Sequence, residues 1–237
     1  MNSRAKMLGM NGTVYTDCTG VGEGNVTTAK DTALLCSELA KYKNLTPYLT
    51  CWLDTVRDGK AELVNLNRLV RTYKGVTGMK AWGSEKAGSC IAATAEKGDM
   101  SVCVVLNGCD SQEDMNAEAK KLLNLAFDTY EIYTPELPED MVKETVVCGG
   151  EELSVKLAPE GLYPIVIPRG TYRMVECDFT AEEKLDAPVK NGETAGEIRY
   201  TMGDEVILDG KIVACKEVKK MNFICGIKKL VYNLLSM

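Results

Sequence analysis

GVTGMKAWGSEKAGSCIAATAEKGDMSVCVVLNG, residues 75–108, decides the reading of this sequence. Its second part has the pattern of a β-hairpin: SCIAATAE and MSVCVVLNG are rich in small and β-branched residues and flank the turn EKGD. Its first part is a glycine-rich turn, with Gly75, Gly78, Gly83 and Gly88 around a lone Lys80 that sits beside Ala81 and Trp82. Immediately afterwards SQEDMNAEAKKLLNLAFDTYEIY, residues 111–133, reads as one amphipathic helix. Ser111 is its N-cap, and Met115, Ala119, Leu122, Leu123 and Ala126 share a face. Strand, strand, long helix predicts an α/β unit in which a helix covers an antiparallel sheet.

Working outward toward the N-terminus, residues 1–10 have helical spacing that stops at Gly9 or Gly12. TDCTGVGEGNV is a turn-rich loop, after which Thr27 or Thr28 caps a helix carrying Asp31 in its first turn and Ala33, Leu34, Leu35 and Leu39 on its apolar side. A further helix is predicted near 45–55, and RDGK is a turn ahead of the segment LVNLNRLV. Toward the C-terminus the composition changes at TPELPED. Short runs such as KETVVC, LSVKLA, YPIVIP, GEIRYTMG and KIVACKEV then alternate with GG, PEG, PRG, KNGE and LDGK. That spacing predicts a separate all-β domain, a small sandwich. The expected division is 1–134, 135–217 and 218–237. The last piece, VKKMNFICGIKKLVYNLLSM, places Phe223, Ile227, Leu230, Val231, Leu234 and Leu235 along one helical stripe with its lysines largely off it. Such a helix either lies on an anionic membrane surface or packs on the protein's own body.

Composition removes whole classes of chemistry. The chain has no histidine, which excludes the commonest general base, Ser/His/Asp and Cys/His arrangements and most zinc sites. Its ten cysteines form no CxxC, and the closest pair, Cys103 and Cys109, is six apart, a pattern of buried thiols rather than a disulfide framework or a metal knuckle. No cofactor or metal is expected. A net charge of -6, with Lys219, Lys220, Lys228 and Lys229 all in the tail, leaves an acidic body that argues against nucleic acid as a partner. MNSRAKMLGMNG has no apolar core of a signal peptide and no window is apolar enough to span a bilayer, so the chain as written is expected in the cytoplasm.

Three segments in order, RAKMLGMNGTVYTDCTGV with TTAKDTALL, then LVNLNRLVRTYKGVTGMKAWGSEKAGSCIAATAEKGDMSVCVVLNG, then AEAKKLLNLAF, resemble the second half of the catalytic domain of serine-type D-alanyl-D-alanine carboxypeptidases, the low-molecular-weight penicillin-binding proteins, so that residues 1–134 read as the C-terminal part of such a domain. The resemblance implies a partial penicillin-recognising, β-lactamase/transpeptidase-like domain. It extends to that family's C-terminal β domain and, for residues 218–237, to its amphipathic membrane anchor, so it also implies an extracytoplasmic, membrane-associated setting. The implied mechanism needs no histidine. The serine of an SxxK motif attacks the penultimate D-Ala carbonyl of a peptidoglycan stem peptide and the motif's lysine accepts its proton. The serine of an SxN motif assists, a KTG strand holds the terminal carboxylate, and water releases the acyl-enzyme.

This sequence departs from that pattern. Lys80 matches the KTG lysine, but Ala81 replaces the hydroxyl residue and Trp82 the glycine, and Asp114 stands where the family commonly has an arginine. The SxxK and SxN segments would precede residue 1, and SRAK, residues 3–6, matches SxxK only as a pattern in the wrong place, so Ser3 is not assigned as nucleophile. The expectation is an N-terminally truncated relative with no catalytic residue of its own, inactive as written, with Lys80, Ala81 and Trp82 as inherited substrate-binding positions. The expected partners are the stem peptide and, through residues 218–237, a membrane surface. Three readings stay open: a carboxypeptidase whose motifs are encoded upstream, a non-catalytic peptidoglycan-associated or membrane-surface interaction module, and a plain hairpin in an unrelated α/β domain.

Overall fold

The computed structural model describes residues 1–223 and 227, apart from 21, 140 and 142. The chain divides into two compact units, Met1–Tyr130 and Glu131–Met237.

In the first unit, α1 (Asn2–Met7) ends ahead of Gly9, whose φ of +77° suits a residue without Cβ. Helix α2 (Ala29–Leu39) begins at Thr28, whose hydroxyl accepts from the Asp31 amide at 3.1 Å, so of the two candidate caps Thr28 is the one used. Arg4 on α1 pairs with Glu38 on α2. The helix expected near 45–55 is much shorter. A 3₁₀ turn, Lys43–Leu45, leads into the four-residue α3 (Thr46–Leu49), and the chain then forms the hairpin β1 (Leu53–Val56) and β2 (Ala61–Val64) around RDGK. After the short α4 (Leu69–Thr72) comes a meander of β3 (Val76–Ser84), β4 (Gly88–Lys97) and β5 (Met100–Cys109), all antiparallel, in the order β3-β4-β5. The first part of the opening stretch is thus a nine-residue strand, not only a turn.

Every residue of β4 from Cys90 to Ala95 is buried, because both faces of the central strand are covered. On one face, Cys36 of α2 packs with Ala92, Cys103 and Val105. Side chains alternate along a strand, so Val102, Val104 and Leu106 point to the other face. There α5 (Gln112–Thr129) lays down Met115, Ala119, Leu123 and Phe127. Ser111 is its cap as expected, accepting from the Asp114 amide at 3.0 Å. The buried stripe, however, is turned toward Phe127 and leaves Leu122 37% exposed. The predicted helix also overran: residues 130–133, YEIY, have β-branched and aromatic residues and leave the helix as a strand.

The second unit is sheet-rich. Its strands are β6 (Tyr130–Tyr133), β7 (Glu144–Cys148), β8 (Ser154–Glu160), β9 (Ile165–Pro168), β10 (Val175–Ala181), β11 (Lys184–Asp186), β12 (Thr194–Met202) and β13 (Glu205–Ala214). Six of them form one mixed sheet in the order β10-β12-β13-β8-β7-β11, in which β11 runs parallel to β7, and β6 pairs with β9 as a separate ribbon. The anticipated sandwich is therefore a six-stranded sheet joined by a two-stranded ribbon. Their common core holds Val147, Val155, Leu157, Ile198, Tyr200 and Ile212, with Tyr133 and Ile165 packed against it. Tyr200 is wholly buried, its ring edge-on to Tyr133 at 6.3 Å and its hydroxyl donating to the Glu136 carbonyl at 2.9 Å.

The start of the segment expected as a helix, 218–237, belongs to this core instead. Val218 is buried and bridges Val189, and Lys220 bridges Gly150, because Val218 completes the sheet's apolar layer. The rest of that expected helix, from 224 on, lies outside the described residues except Ile227.

Candidate substrate-binding site

The site is built on β3. Alternation puts Ala81 inward, 3% exposed and opposite Ile91, and leaves Lys80 exposed opposite Ala92. Among the described residues Lys80 has no hydrogen-bond or ion-pair partner. Trp82, opposite Cys90, is half-buried and packs with the group formed by Cys36, Met79 and Ala92. Its indole is therefore fixed on the strand rather than free to swing away.

Around the end of this strand lies a cleft of about 440 Å³, walled by Ala81 to Glu85, Ser89, Asp110, Gln112, Leu66 and Met115. Two of the expected positions, Ala81 and Trp82, line it together; Lys80 is next to the wall but not part of it. Gly88, at φ +65°, turns the chain from β3 into β4 at the cleft floor, where a Cβ would lie 2.9 Å from the Cys109 carbonyl oxygen. The charged groups of the wall are Glu85 and Asp110, both acidic, so the cleft itself repels a carboxylate. Asp114, at the position where the resemblance leads one to expect an arginine, does not line the cleft. Its carboxylate accepts from the Ser111 hydroxyl at 2.7 Å and closes the N-terminal turn of α5. Ser3 lies exposed on α1 and outside the cleft wall.

The position of β3 depends on a residue that the sequence reading passed over. Asn67 is completely buried; its Nδ2 donates to the Gly78 carbonyl at 3.3 Å and its Oδ1 accepts from the Leu69 amide at 3.1 Å. The signal was an asparagine among the apolar residues of LVNLNRLV, since a buried amide needs such partners.

Two aspartates fix the loops leading into α2. Asp31, 4% exposed, accepts from the Gly12 amide at 2.8 Å and the Thr13 hydroxyl at 2.7 Å. Asp17 accepts from the Thr19 hydroxyl and the amides of Thr19, Gly20 and Gly22, and from Asn25 Nδ2. These donors hold both carboxyls below the ordinary aspartate range, led by the Thr13 hydroxyl for Asp31 and the Thr19 hydroxyl for Asp17. A carboxyl with a depressed folded-state pKa stabilises the fold above its unfolded value, about 4, and that contribution is lost as pH falls through the folded value. Denaturation midpoints of the first unit should therefore be level from neutral pH to about 5 and fall below about 4. Asp31→Asn should lower the midpoint at neutral pH and flatten the acid limb; an unchanged acid limb would contradict this assignment.

Residues 1–110 match the family model of D-alanyl-D-alanine carboxypeptidases, and residues 127–220 match that of the penicillin-binding protein 5 C-terminal domain. The fold is shared with penicillin-binding protein 5 from Haemophilus influenzae, at a TM-score of 0.76 and 22% identity over 92% of this chain and 64% of that one. A helix-covered antiparallel sheet followed by a sheet-rich unit thus has a penicillin-binding-protein-like fold. The chain is 30% identical to D-alanyl-D-alanine carboxypeptidase DacF of Bacillus subtilis over 97% of its own length and 60% of the relative's. It is 28% identical to DacC of Escherichia coli over 94% and 56%. Between them, the two family matches and these relatives make most of the chain similar to D-alanyl-D-alanine carboxypeptidases. It spans somewhat over half the length of these curated relatives.

Proposed function

We propose that the chain binds peptidoglycan stem peptides ending in D-Ala-D-Ala through β3, and that as written it does not turn them over. The observation that carries the reading is Lys80, an exposed and, among the described residues, unpartnered cation on β3 beside the cleft. A cation there can meet a terminal carboxylate, the group that D,D-carboxypeptidases must hold. The neighbouring positions weaken that hold. Ala81 offers no hydroxyl, Trp82 keeps a ligand off the strand backbone, and Glu85 and Asp110 oppose a negative charge. Turnover also needs an activated serine, and in these 237 residues no SxN occurs and the SxxK match at Ser3 stands outside the cleft.

The test is covalent labelling of the purified chain with a fluorescent penicillin, run beside calorimetric titration of a peptide ending in D-Ala-D-Ala. No labelled band is expected, with weak peptide binding that Lys80→Ala abolishes. A labelled band would assign turnover to this chain, and peptide binding indifferent to Lys80→Ala would remove β3 from the site.

A further inference from the structure

Beneath α2 two thiols meet, independently of what the cleft binds. Antiparallel partners share a face of the sheet, so Cys103 of β5, opposite Thr94, and Val105, opposite Ala92, look to the same side. That side is covered by α2 through Cys36, which lies one helical turn after the buried Thr32. The row of β4 under the helix is small: Ala92 is 2% and Thr94 1% exposed. Small side chains let the helix approach the sheet, and Cys36 and Cys103 reach each other across the interface. Their side chains hydrogen-bond directly, sulfur to sulfur. Because Cys103 donates to Cys36, the Cys36 thiol is held below its ordinary range and the Cys103 thiol above it.

This pair differs from the other described thiols of the unit. Cys18 and Cys51 are exposed, and Cys90 is buried with its thiol donating to the Ala87 carbonyl at 3.4 Å. Of the α2–β5 pair, Cys36 is buried and Cys103 half-buried, so one sulfur is open to a small reagent and the other is sheltered behind it. The side chains packed around them, Leu39, Ala40, Leu49 and Val105, are apolar and supply no competing nucleophile. An accessible thiol with a second one in contact is the arrangement that disulfide exchange requires of an entering and a resolving sulfur.

We propose that Cys36 and Cys103 are a redox-modification site that takes a low-molecular-weight disulfide as its oxidant and closes to a cystine joining α2 to β5. The Cys103 thiolate attacks one sulfur of the reagent, whose S–S bond breaks; half of the reagent leaves as a thiolate and half stays on Cys103 as a mixed disulfide. The Cys36 thiolate then attacks the Cys103 sulfur, forming the Cys36–Cys103 bond and releasing the second half. The two cysteines together give up two electrons and two protons, and the reagent leaves as two thiols. The bond encloses α3, the β1–β2 hairpin, α4, β3 and β4 in one covalent loop, so it stabilises the unit chiefly by restricting the unfolded chain. Trp82 of the cleft wall packs against the same cluster, so the cystine forms next to a side chain of the cleft.

The experiment equilibrates the full 237-residue chain with oxidised and reduced glutathione at set ratios, alkylates it, digests it without reduction and maps the peptides by mass spectrometry. Cys36–Cys103 is expected to be the first intramolecular disulfide to fill as the ratio turns oxidising, with the melt of the first unit raised by about 5–10 °C. Cys103→Ser, at a half-buried position, should keep the melt of the reduced chain and lose both the crosslink and the rise, and Cys36→Ala should lose both as well. Phenylarsine oxide, which bridges two thiols only where they are adjacent, gives a readout that needs no oxidant. It should protect Cys36 and Cys103 from alkylation together, and should protect the remaining thiol in neither variant. A mixed disulfide that stays on Cys103 without passing to Cys36, a disulfide of either residue with another cysteine ahead of this one, or full alkylation of both in the presence of the arsenical would each overturn the proposal.

Discussion

Tyr200→Ala is expected to destabilise the C-terminal unit by about 3–5 kcal/mol, on the scale of a buried Phe→Ala change, because the ring has no exposed surface and its removal leaves a cavity in a close-packed layer. The lost edge-on contact with Tyr133 and the Glu136 carbonyl left without its donor act in the same direction. Tyr200→Phe should cost about 1–2 kcal/mol, since only the hydroxyl goes. The measurement is favourably arranged, because both tryptophans, Trp52 and Trp82, belong to the first unit. Guanidinium unfolding followed by far-ultraviolet circular dichroism should show the loss in the sheet-rich unit, and tryptophan fluorescence should keep its midpoint. An unchanged dichroism midpoint in Tyr200→Ala would refute the assigned role.

Ile91→Ala should have the largest effect on the first unit, about 2–5 kcal/mol. Ile91 is fully buried at the middle of β4, directly opposite Ala81 on one side and Leu106 on the other. Ala81 opposite it and Ala93 two residues along β4 are too small to fill the space it leaves. The loss should be visible as a lower fluorescence midpoint and a red-shifted emission from Trp82, whose strand loses its backing. Leu125→Ala on the exposed flank of α5 is the control, with a shift within about 0.5 kcal/mol. Equal shifts for Ile91→Ala and Leu125→Ala would contradict the packing assigned to β4.

What could be read from the sequence followed the locality of the signal. Thr28 and Ser111 were legible as caps because a cap is a matter of four adjacent residues, and β4 and β5 were legible because a tight turn joins two β-rich runs. From its residues alone β3 read as a turn, because Gly78 and Gly83 interrupt its pattern, and only the resemblance to a KTG strand pointed to the pairing with β4. The tilt of α5 that buries Phe127 and exposes Leu122 depends on the sheet beneath it, not on the helix's own period. Lys80, Ala81 and Trp82 were singled out through resemblance to a motif, and of these Ala81 and Trp82 line the cleft. Asp110 was missed, since proximity between the end of β5 and the end of β3 is a property of the meander and not of spacing along the chain. Asn67 was missed for the same reason: its partner, the Gly78 carbonyl, is eleven residues away.

The strand order of the two units also sets when each can form as the chain is made. In the first unit β3, β4 and β5 follow one another in sequence and in space, so their pairing closes only short loops. In the second, β13, residues 205–214, lies at the centre of the six-stranded sheet between β12 and β8, yet it is the last of the six to be synthesised. Until it emerges, β8 and β12 have no common neighbour, and the apolar rows of Val155, Leu157, Ile198 and Tyr200 stay without their central strand. The nascent second unit is therefore an unfinished sheet through nearly all of its translation, and its window of exposure closes at a single late step.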